Sequence, residues 1–360
     1  MTQRIGIVTG GGDCPGLNAV IRAVAKSAAR RGWETLGIYG GYAGLLEPQN
    51  VKPLSYHDLD GLLVRGGTIL GTANRGRFSA KVGHGQVRQL PADLIDETKR
   101  GFEKLGLTAL VSIGGDGSLT IAHQLNAAGI PIVGVPKTID NDVAATVTTF
   151  GFDSAVACAT DALDRLQSTA ESHQRIMVLE VMGRYAGWIA IYAGLAGGAD
   201  VILIPEIPYR YEPIVAKVRE REGQGRHHTM VVVAEGAKNV DGDFVVAAGQ
   251  DANREARLGG VGQQVAADLE KLTGKEARAV VLGHLQRGGT PTNLDRALCT
   301  MFGAKAVELI AERQFGKMVA YTGTHVIGVP LEKAIGELRT VPLDGGFVWT
   351  ARSIGVCLGD

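Results

Sequence analysis

The sequence predicts an α/β protein of two doubly wound, mostly parallel-sheet domains with the active site in the cleft between them. Three observations carry that expectation. Apolar runs of strand length recur along the chain, each followed by a glycine-rich turn and a segment of helical period, which is the pattern of repeated βα units. The 360 residues exceed the size at which a single core usually stops growing. Polar or charged residues set among glycines follow the apolar runs, and in an open α/β sheet those strand ends line the ligand crevice. The boundaries are expected at 1–147, 148–315 and 316–360, the last segment packing back on the first domain.

Taken in order, residues 5–9 form a first strand. It delivers Gly10-Gly11-Gly12-Asp13-Cys14-Pro15-Gly16 ahead of a helix over about 18–31, whose Val20, Ile21, Val24 and Ala28 share a face. This is a phosphate-approach loop but a poor dinucleotide fingerprint, because GGGDCPG does not give GxGxxG and Glu34 only loosely matches the acidic ribose partner. A strand over 35–39 follows. Residues 50–85 read as loop, where Arg75 and Arg77 are either a solvated surface or a basic lip over a nucleotide. An amphipathic helix over 92–104 leads to the central stretch.

There, residues 109–113 are a buried strand emptying into Gly114-Gly115-Asp116-Gly117, with Ser118 as the expected N-cap of a helix that stops at Gly129 before Pro131. A second buried strand, 132–135, runs into Pro136-Lys137-Thr138-Ile139-Asp140-Asn141-Asp142. Glycines admit backbone N–H groups to phosphate oxygens, a helix N-terminus favours anions, and Asp116 offers a hard oxygen ligand to Mg²⁺. In extended backbone Asp140 and Asp142 would point to one side. Phosphoryl transfer to an alcohol needs a metal, a phosphate cradle, a positive charge and an acceptor for the hydroxyl proton; residues 114–117, Asp116, Lys137 and Asp140 could supply them.

Composition narrows the partners. Lys+Arg 37 against Asp+Glu 37 leaves no net charge, which argues against nucleic acid or a membrane surface as partner. The four cysteines, Cys14, Cys158, Cys299 and Cys357, show no metal-ligand spacing and suit a reduced, cytoplasmic compartment. The most apolar stretch, 187–204, is interrupted by Asp200 and glycines, so no span is expected.

Beyond residue 148 the sequence predicts a helix over 153–170, strands over 176–181, 201–205, 230–234 and 279–282, and helices around 188–195, 212–222, 258–272 and 293–313, with a polar excursion over 237–257. Strand ends carry Met182-Gly183-Arg184, Glu235, and His284 with Arg287. Each alone reads equally as a surface or core residue. Repeated at strand ends, they suit a phosphorylated polyhydroxy compound, since arginines favour oxyanions and carboxylates favour hydroxyls.

On the residues GGGDCPG, GGDGS, PKTIDND, SHQR at 172–175, EVMGRYAGW at 180–188 and GHLQRGG at 283–289, in that order, the chain resembles the 6-phosphofructokinases over nearly its whole length. The resemblance implies a cytoplasmic, allosteric glycolytic kinase that uses MgATP and fructose 6-phosphate, with a nucleotide and Mg²⁺ domain first and a fructose 6-phosphate domain second. It implies Asp140 as the base, with Lys137 and Asp142 beside the reacting phosphate, and Asp116 as Mg²⁺ ligand. Gly12, Arg75, Gly115, Asp116, Gly117 and Ser118 would hold ATP. Thr138, Arg175, Met182, Gly183, Arg184, Glu235, Arg278, His284 and Arg287 would hold fructose 6-phosphate. Arg175 and Arg278 would reach a neighbouring subunit's substrate, implying a dimer or a homotetramer.

The match has departures. Asn74 and Arg75 stand where ATP enzymes carry an arginine one step earlier. Lys137 is shared with pyrophosphate-dependent members, which usually carry Asp where this chain has Gly117. Arg22 matches the effector site, but Lys26 and Gln167 replace arginines there, so a weak or altered effector response is expected. A pyrophosphate-dependent phosphotransferase and a non-catalytic nucleotide or sugar-phosphate sensor are the alternatives. A dehydrogenase is a third reading.

Overall fold

The computed structural model describes residues 3–73, 76–78, 87–242 and 258–360. They form two compact units: Met1–Ile139 with Val143–Ser154 and Arg287–Leu338, and Asp140–Asp142 with Ala155–Gln286 and Arg339–Asp360.

In the first unit, β1 (Arg4–Thr9) leads to α1 (Leu17–Ala29), β2 (Glu34–Ile38), the short β3 (Val51–Pro53), α2 (Ala92–Lys104), β4 (Ala109–Gly114), α3 (Asp116–Ala127) and β5 (Ile132–Pro136). Helix α4 (Phe152–His173) begins in this unit and continues in the second. The second unit then runs β6 (Ile176–Val181), α5 (Trp188–Ala196), β7 (Val201–Leu203), α6 (Tyr211–Gly223), β8 (Thr229–Ala234), α7 (Val261–Thr273) and β9 (Ala277–Val281). The chain returns to the first unit as α8 (Asn293–Ala311), β10 (Lys317–Tyr321), β11 (Val326–Pro330) and α9 (Glu332–Ile335), and ends in the second with α10 (Gly346–Ser353).

The seven-stranded sheet of the first unit has the order β11-β10-β5-β4-β1-β2-β3. Its centre is parallel, with Ile5 opposite Ala109 and Leu110 opposite Ile132; β3 and β11 close the edges antiparallel. The central strands are buried from end to end, save Arg4 at the start of β1, because helices cover both faces, which is why they read as continuous apolar runs. The sheet of the second unit, β7-β8-β6-β9, is wholly parallel, with its own core around Val178, Leu203, Val231 and Val265.

The expected domain bounds differ from this division. Residues 293–311 were placed in the second domain, but α8 packs on α1 in the first unit. At Gly303 a Cβ would come within 2.6 Å of Ala23 Cβ and 2.9 Å of Val20 O, so the helix pair approaches at a spacing that only glycine permits. Residues 339–360 belong to the second unit, where Cys357 bridges Val201 and Trp188 Nε1 donates to Arg339 O at 2.9 Å. Most expected elements lie within a residue or two of those observed; β3, β10, β11, α9 and α10 were not expected.

Candidate functional site

Two glycine loops of the first unit lie at the carboxyl ends of the neighbouring strands β1 and β4, joined where Gly10 N donates to Ile113 O at 2.9 Å. The first turns through left-handed Gly11 (φ 77°) and Gly16 (φ 106°), which an L side chain would resist. Its far side is buttressed by residues 71–73: Gly11 N donates to Ala73 O at 3.2 Å, and Thr72 Oγ1 to Gly11 O at 2.5 Å. Two cations reach it. Buried Lys137 donates from Nζ to Gly12 O, and Arg287 lies so close over Gly12 that a Cβ there would collide with its Nη1. Arg287 Nε is buried and has no hydrogen-bond partner among the described residues.

The second loop is organised by Ser118. The helix α3 starts at Asp116 with Gly115 as N-cap, so Ser118 is an internal first-turn residue and not the cap that the sequence suggested. Its side chain instead fills the space beside Gly10 and Gly114, where a Cβ on either glycine would collide with it or press within 2.5 Å of its Oγ. Tyr42, whose hydroxyl bonds Ser112 Oγ at 2.5 Å and donates to Ser118 O at 3.0 Å, locks the turn from below. Asp116 opens the helix where its dipole favours negative charge and anionic ligands alike. At Gly117 a Cβ would meet nothing within 4 Å.

Lys137 continues β5 by one bridge, to Phe150, and Thr149 Oγ1 donates to Thr138 O at 2.8 Å. Beyond Ile139 the expectation of extended backbone fails. The chain bends at Asp140 and buried Asn141 is left-handed (φ 54°), so strand alternation does not carry Asp140 and Asp142 to a common side. Residues 140–142 belong to the second unit, where Arg339 holds them: its N–H donates to Asp142 O at 2.9 Å and its Nη1 to Asn141 O at 3.0 Å.

In the second unit the order β8-β6-β9 sets Glu235, Met182-Gly183-Arg184 and His284 at the carboxyl ends of three adjacent strands. Backbone contacts tie them together. Glu235 N donates to Val181 O at 2.8 Å, Gly236 N to Gly183 O at 3.1 Å, and Met182 N to Gln286 Oε1 at 3.4 Å. A Cβ at Gly236 would collide with Arg184 O, and Gly183 needs its φ of 134°. Arg184 lies over the Tyr185 ring, while His284 is exposed in a short 3₁₀ turn.

Arg175 and Arg278 are not part of that edge. Arg175 precedes β6 and Arg278 sits opposite Met177, so both lie at the amino ends of the strands, about 20 Å and about 10 Å respectively from the carboxyl ends at about 3.3 Å per residue. They converge on Glu276: Arg175 Nε pairs with Oε2 at 2.5 Å and Arg278 Nη2 with Oε1. Arg75 lies outside the described residues, as does most of the excursion at 243–257. Arg77 is no basic lip: it pairs with Glu97 at 2.7 Å and Asp93 at 3.4 Å on α2.

Two buried carboxylates outside the candidate site residues order helix starts. Glu180 accepts from Gly260 N and Gly262 N at the start of α7, and Asp295 accepts from residues before and in the first turn of α4. The Thr292-x-x-Asp295 spacing, a capping signature, points only to the start of α8 and not to the helix that Asp295 caps. Cys14 and Cys299 are buried, and burial pushes both thiols far up, so neither is a nucleophile.

Among the described residues no helix is long and apolar enough to cross a membrane. Residues 4–310 match the phosphofructokinase family profile. A protein of Chloroflexus aurantiacus named ATP-dependent 6-phosphofructokinase is 52% identical over 99% of this chain and 98% of its own length. One of Amycolatopsis methanolica named pyrophosphate–fructose 6-phosphate 1-phosphotransferase is 51% identical over 94% of this chain and 96% of its own. The crystal structure of Pichia pastoris phosphofructokinase in the T-state superposes with a TM-score of 0.81 at 31% identity, covering 93% of this chain and 35% of that one. With its glycine loops, its lysine after β5 and its three polar strand ends in family order, the chain belongs to the phosphofructokinase family.

Proposed function

We propose that this chain transfers a phosphoryl group from MgATP to the 1-hydroxyl of D-fructose 6-phosphate, giving fructose 1,6-bisphosphate and ADP, the glycolytic step. The observation that carries the reading is the pair of glycine loops with Lys137 and Arg287 gathered on the first and open space at Gly117 of the second. Charge in the transition state spreads over the equatorial oxygens of the phosphoryl group, and a buried ammonium beside backbone N–H groups stabilises it without reorganisation. Arg287 Nε, buried and unspent, is a donor that an anion would satisfy.

Asp140 would take the proton of the sugar hydroxyl, and Asp142 would face the metal or the reacting phosphate. Asp116 would hold Mg²⁺ together with donor oxygens. No group of three His, Cys, Asp or Glu among the described residues forms a metal cage, which suits an ion held by one or two carboxylates plus substrate phosphates. When bound, Mg²⁺ neutralises charge on the donor. Gly12, Gly115, Gly117, Ser118 and Arg75 would hold the nucleotide. Thr138, Met182, Gly183, Arg184, Glu235, His284 and Arg287 would hold the sugar phosphate. The four cysteines are free thiols, which fits a reduced cytoplasm.

Several relatives about half identical over nearly the whole chain are named ATP-dependent, which supports ATP, while one of similar likeness is named for pyrophosphate. Gly117 points the same way, because a Cβ there would meet nothing within 4 Å and no side chain takes up the space beside it, whereas Lys137 serves either donor. Arg175 and Arg278, at the amino ends of β6 and β9, are gathered on Glu276 there and not on the carboxyl-end set. This favours a dimer or tetramer in which they complete a second copy's site. A coupled assay of the pure protein with fructose 6-phosphate, offering ATP and pyrophosphate separately and Asp140→Ala as comparison, tests the reading. We expect turnover with ATP and its loss in the variant. Activity confined to pyrophosphate overturns the donor, and equal rates in the two proteins overturn Asp140 as base.

A further inference from the structure

The carboxylate of Asp295, in the first turn of α8, is fully buried and belongs to neither glycine loop. Its Oδ1 accepts from Gly151 N at 3.0 Å; its Oδ2 accepts from Ser154 N at 2.9 Å and Ser154 Oγ at 2.6 Å. Asp295 therefore caps α4, a helix that begins 143 residues earlier in the sequence, and not its own. Its own helix is capped by Thr292, whose Oγ1 accepts from Asp295 N at 3.3 Å and donates to Asp153 Oδ2, while Thr292 N donates to Ser154 Oγ at 3.0 Å. Two helix starts are thus satisfied reciprocally.

What this double cap holds is the segment 149–151. Thr149 Oγ1 donates to Thr138 O, and Phe150 bridges Lys137. A Cβ on left-handed Gly151 would lie 2.6 Å from Cys14 Sγ and 3.4 Å from Ile139 Cγ2, and one on Gly16 would lie 2.9 Å from Phe150. The segment is a wedge with the first glycine loop on one side and residues 137–139 on the other. We propose that Asp295 is a positioning residue for phosphoryl transfer: by pinning residues 149–151 to α8 it fixes where Lys137 and Thr138 stand against the first glycine loop. This rests on reading Lys137 as the charge beside the transferring phosphoryl group.

The carboxylate must be ionised to accept three donors. Burial raises it to about 6, and Asp153 on α4 adds to the rise; the other titratable groups facing it are Cys14 and Cys299, both kept neutral by burial. The sign is specific. An acid raised from 3.8 to about 6 favours the fold in its neutral form, so its contribution to global stability is lost as pH climbs through that window, whereas positioning is gained over the same window. Relative to Asp295→Asn, the parent should therefore gain turnover and lose melting temperature as pH climbs through that window, which a purely structural cap would not produce.

The test compares Asp295→Asn, Thr149→Val and their double variant with the parent, reading kcat, both KM values and the pH profile of kcat. Asp295→Asn should lower kcat about 10- to 100-fold, the cost of a small misplacement, with both KM values within about threefold and the limb near pH 6 gone. Thr149→Val should lower kcat by about tenfold, and adding it to Asp295→Asn should cost little more, because both act through one wedge. A folded Asp295→Asn with parental kcat overturns the proposal. Should that variant fail to fold, parental kcat in Thr149→Val overturns it instead. Parental turnover in Lys137→Met would remove the reading underneath, whereas an inactive Lys137→Met beside an unaffected Thr149→Val sinks this proposal alone.

Discussion

The two glycine loops of the first unit follow adjacent parallel strands, yet they are built on opposite plans. The loop after β1 needs two left-handed glycines, is braced by residues 71–73, and is overlaid by Lys137 and Arg287 from the chain itself. The loop after β4 has no left-handed residue, is packed from below by Ser118 and Tyr42, and leaves Gly117 facing empty space at the start of a helix. The first is a place where charge is already gathered. The second is a place where room is kept. A kinase needs both, because the transferring phosphoryl group wants fixed cations while the rest of the donor wants volume and a helix N-terminus.

Removing the cation from the gathered loop should have the largest effect. Lys137→Met keeps most of the buried stem but deletes the donor to Gly12 O. We expect kcat to fall about 10²- to 10³-fold, as for loss of one transition-state donor, with the KM for either substrate changed far less. Steady-state kinetics at saturating Mg²⁺ check it, and a fall of less than about threefold would erase the difference drawn between the loops.

The contrast also explains what the sequence could and could not reveal. The strands β1, β4, β5, β6 and β8 are legible to within a residue because burial on both faces demands unbroken apolar runs and glycines bound them. The strands β10 and β11 escaped notice although both carry apolar residues: they pair antiparallel through a short turn, so no helix follows β10 to mark a βα unit. Of the site, the glycine loops, Lys137 and the strand-end residues could be read from local spacing. Asp295 could not: it looks like any first-turn acid, and the N–H groups it caps are 141 and 144 residues away. Nor could the left-handed turn at Asn141, which overrode the inference from strand alternation.

Filling the kept room is the next test in size. Gly117→Asp places a carboxylate in open space at the second residue of α3, where it clashes with nothing and gains from the helix dipole, so stability should hold or rise slightly. ATP use should nevertheless fall about 10- to 100-fold in kcat/KM through occupied volume and repulsion of phosphate, while any pyrophosphate reaction falls much less. Because folding is spared, the loss cannot be blamed on it. Equal losses with the two donors would mean that the space at Gly117 does not decide between them.

The smallest effect belongs to Gly12→Ala. The added methyl would collide only with the Nη1 tip of Arg287, the far end of a flexible side chain, and Gly12 has no left-handed φ to defend. Backbone strain is therefore absent, and the cost in stability should stay below about 1 kcal/mol. The guanidinium must still move by about 1 Å or swing away, and with it the buried Nε that an anion would satisfy. We expect the KM for fructose 6-phosphate to rise about three- to tenfold with kcat nearly unchanged, the pattern of a binding contact equally strong in ground and transition states. If the KM for ATP rises instead, the methyl is felt at the nucleotide that Gly12 would hold, and Arg287 is not the contact that limits sugar-phosphate binding.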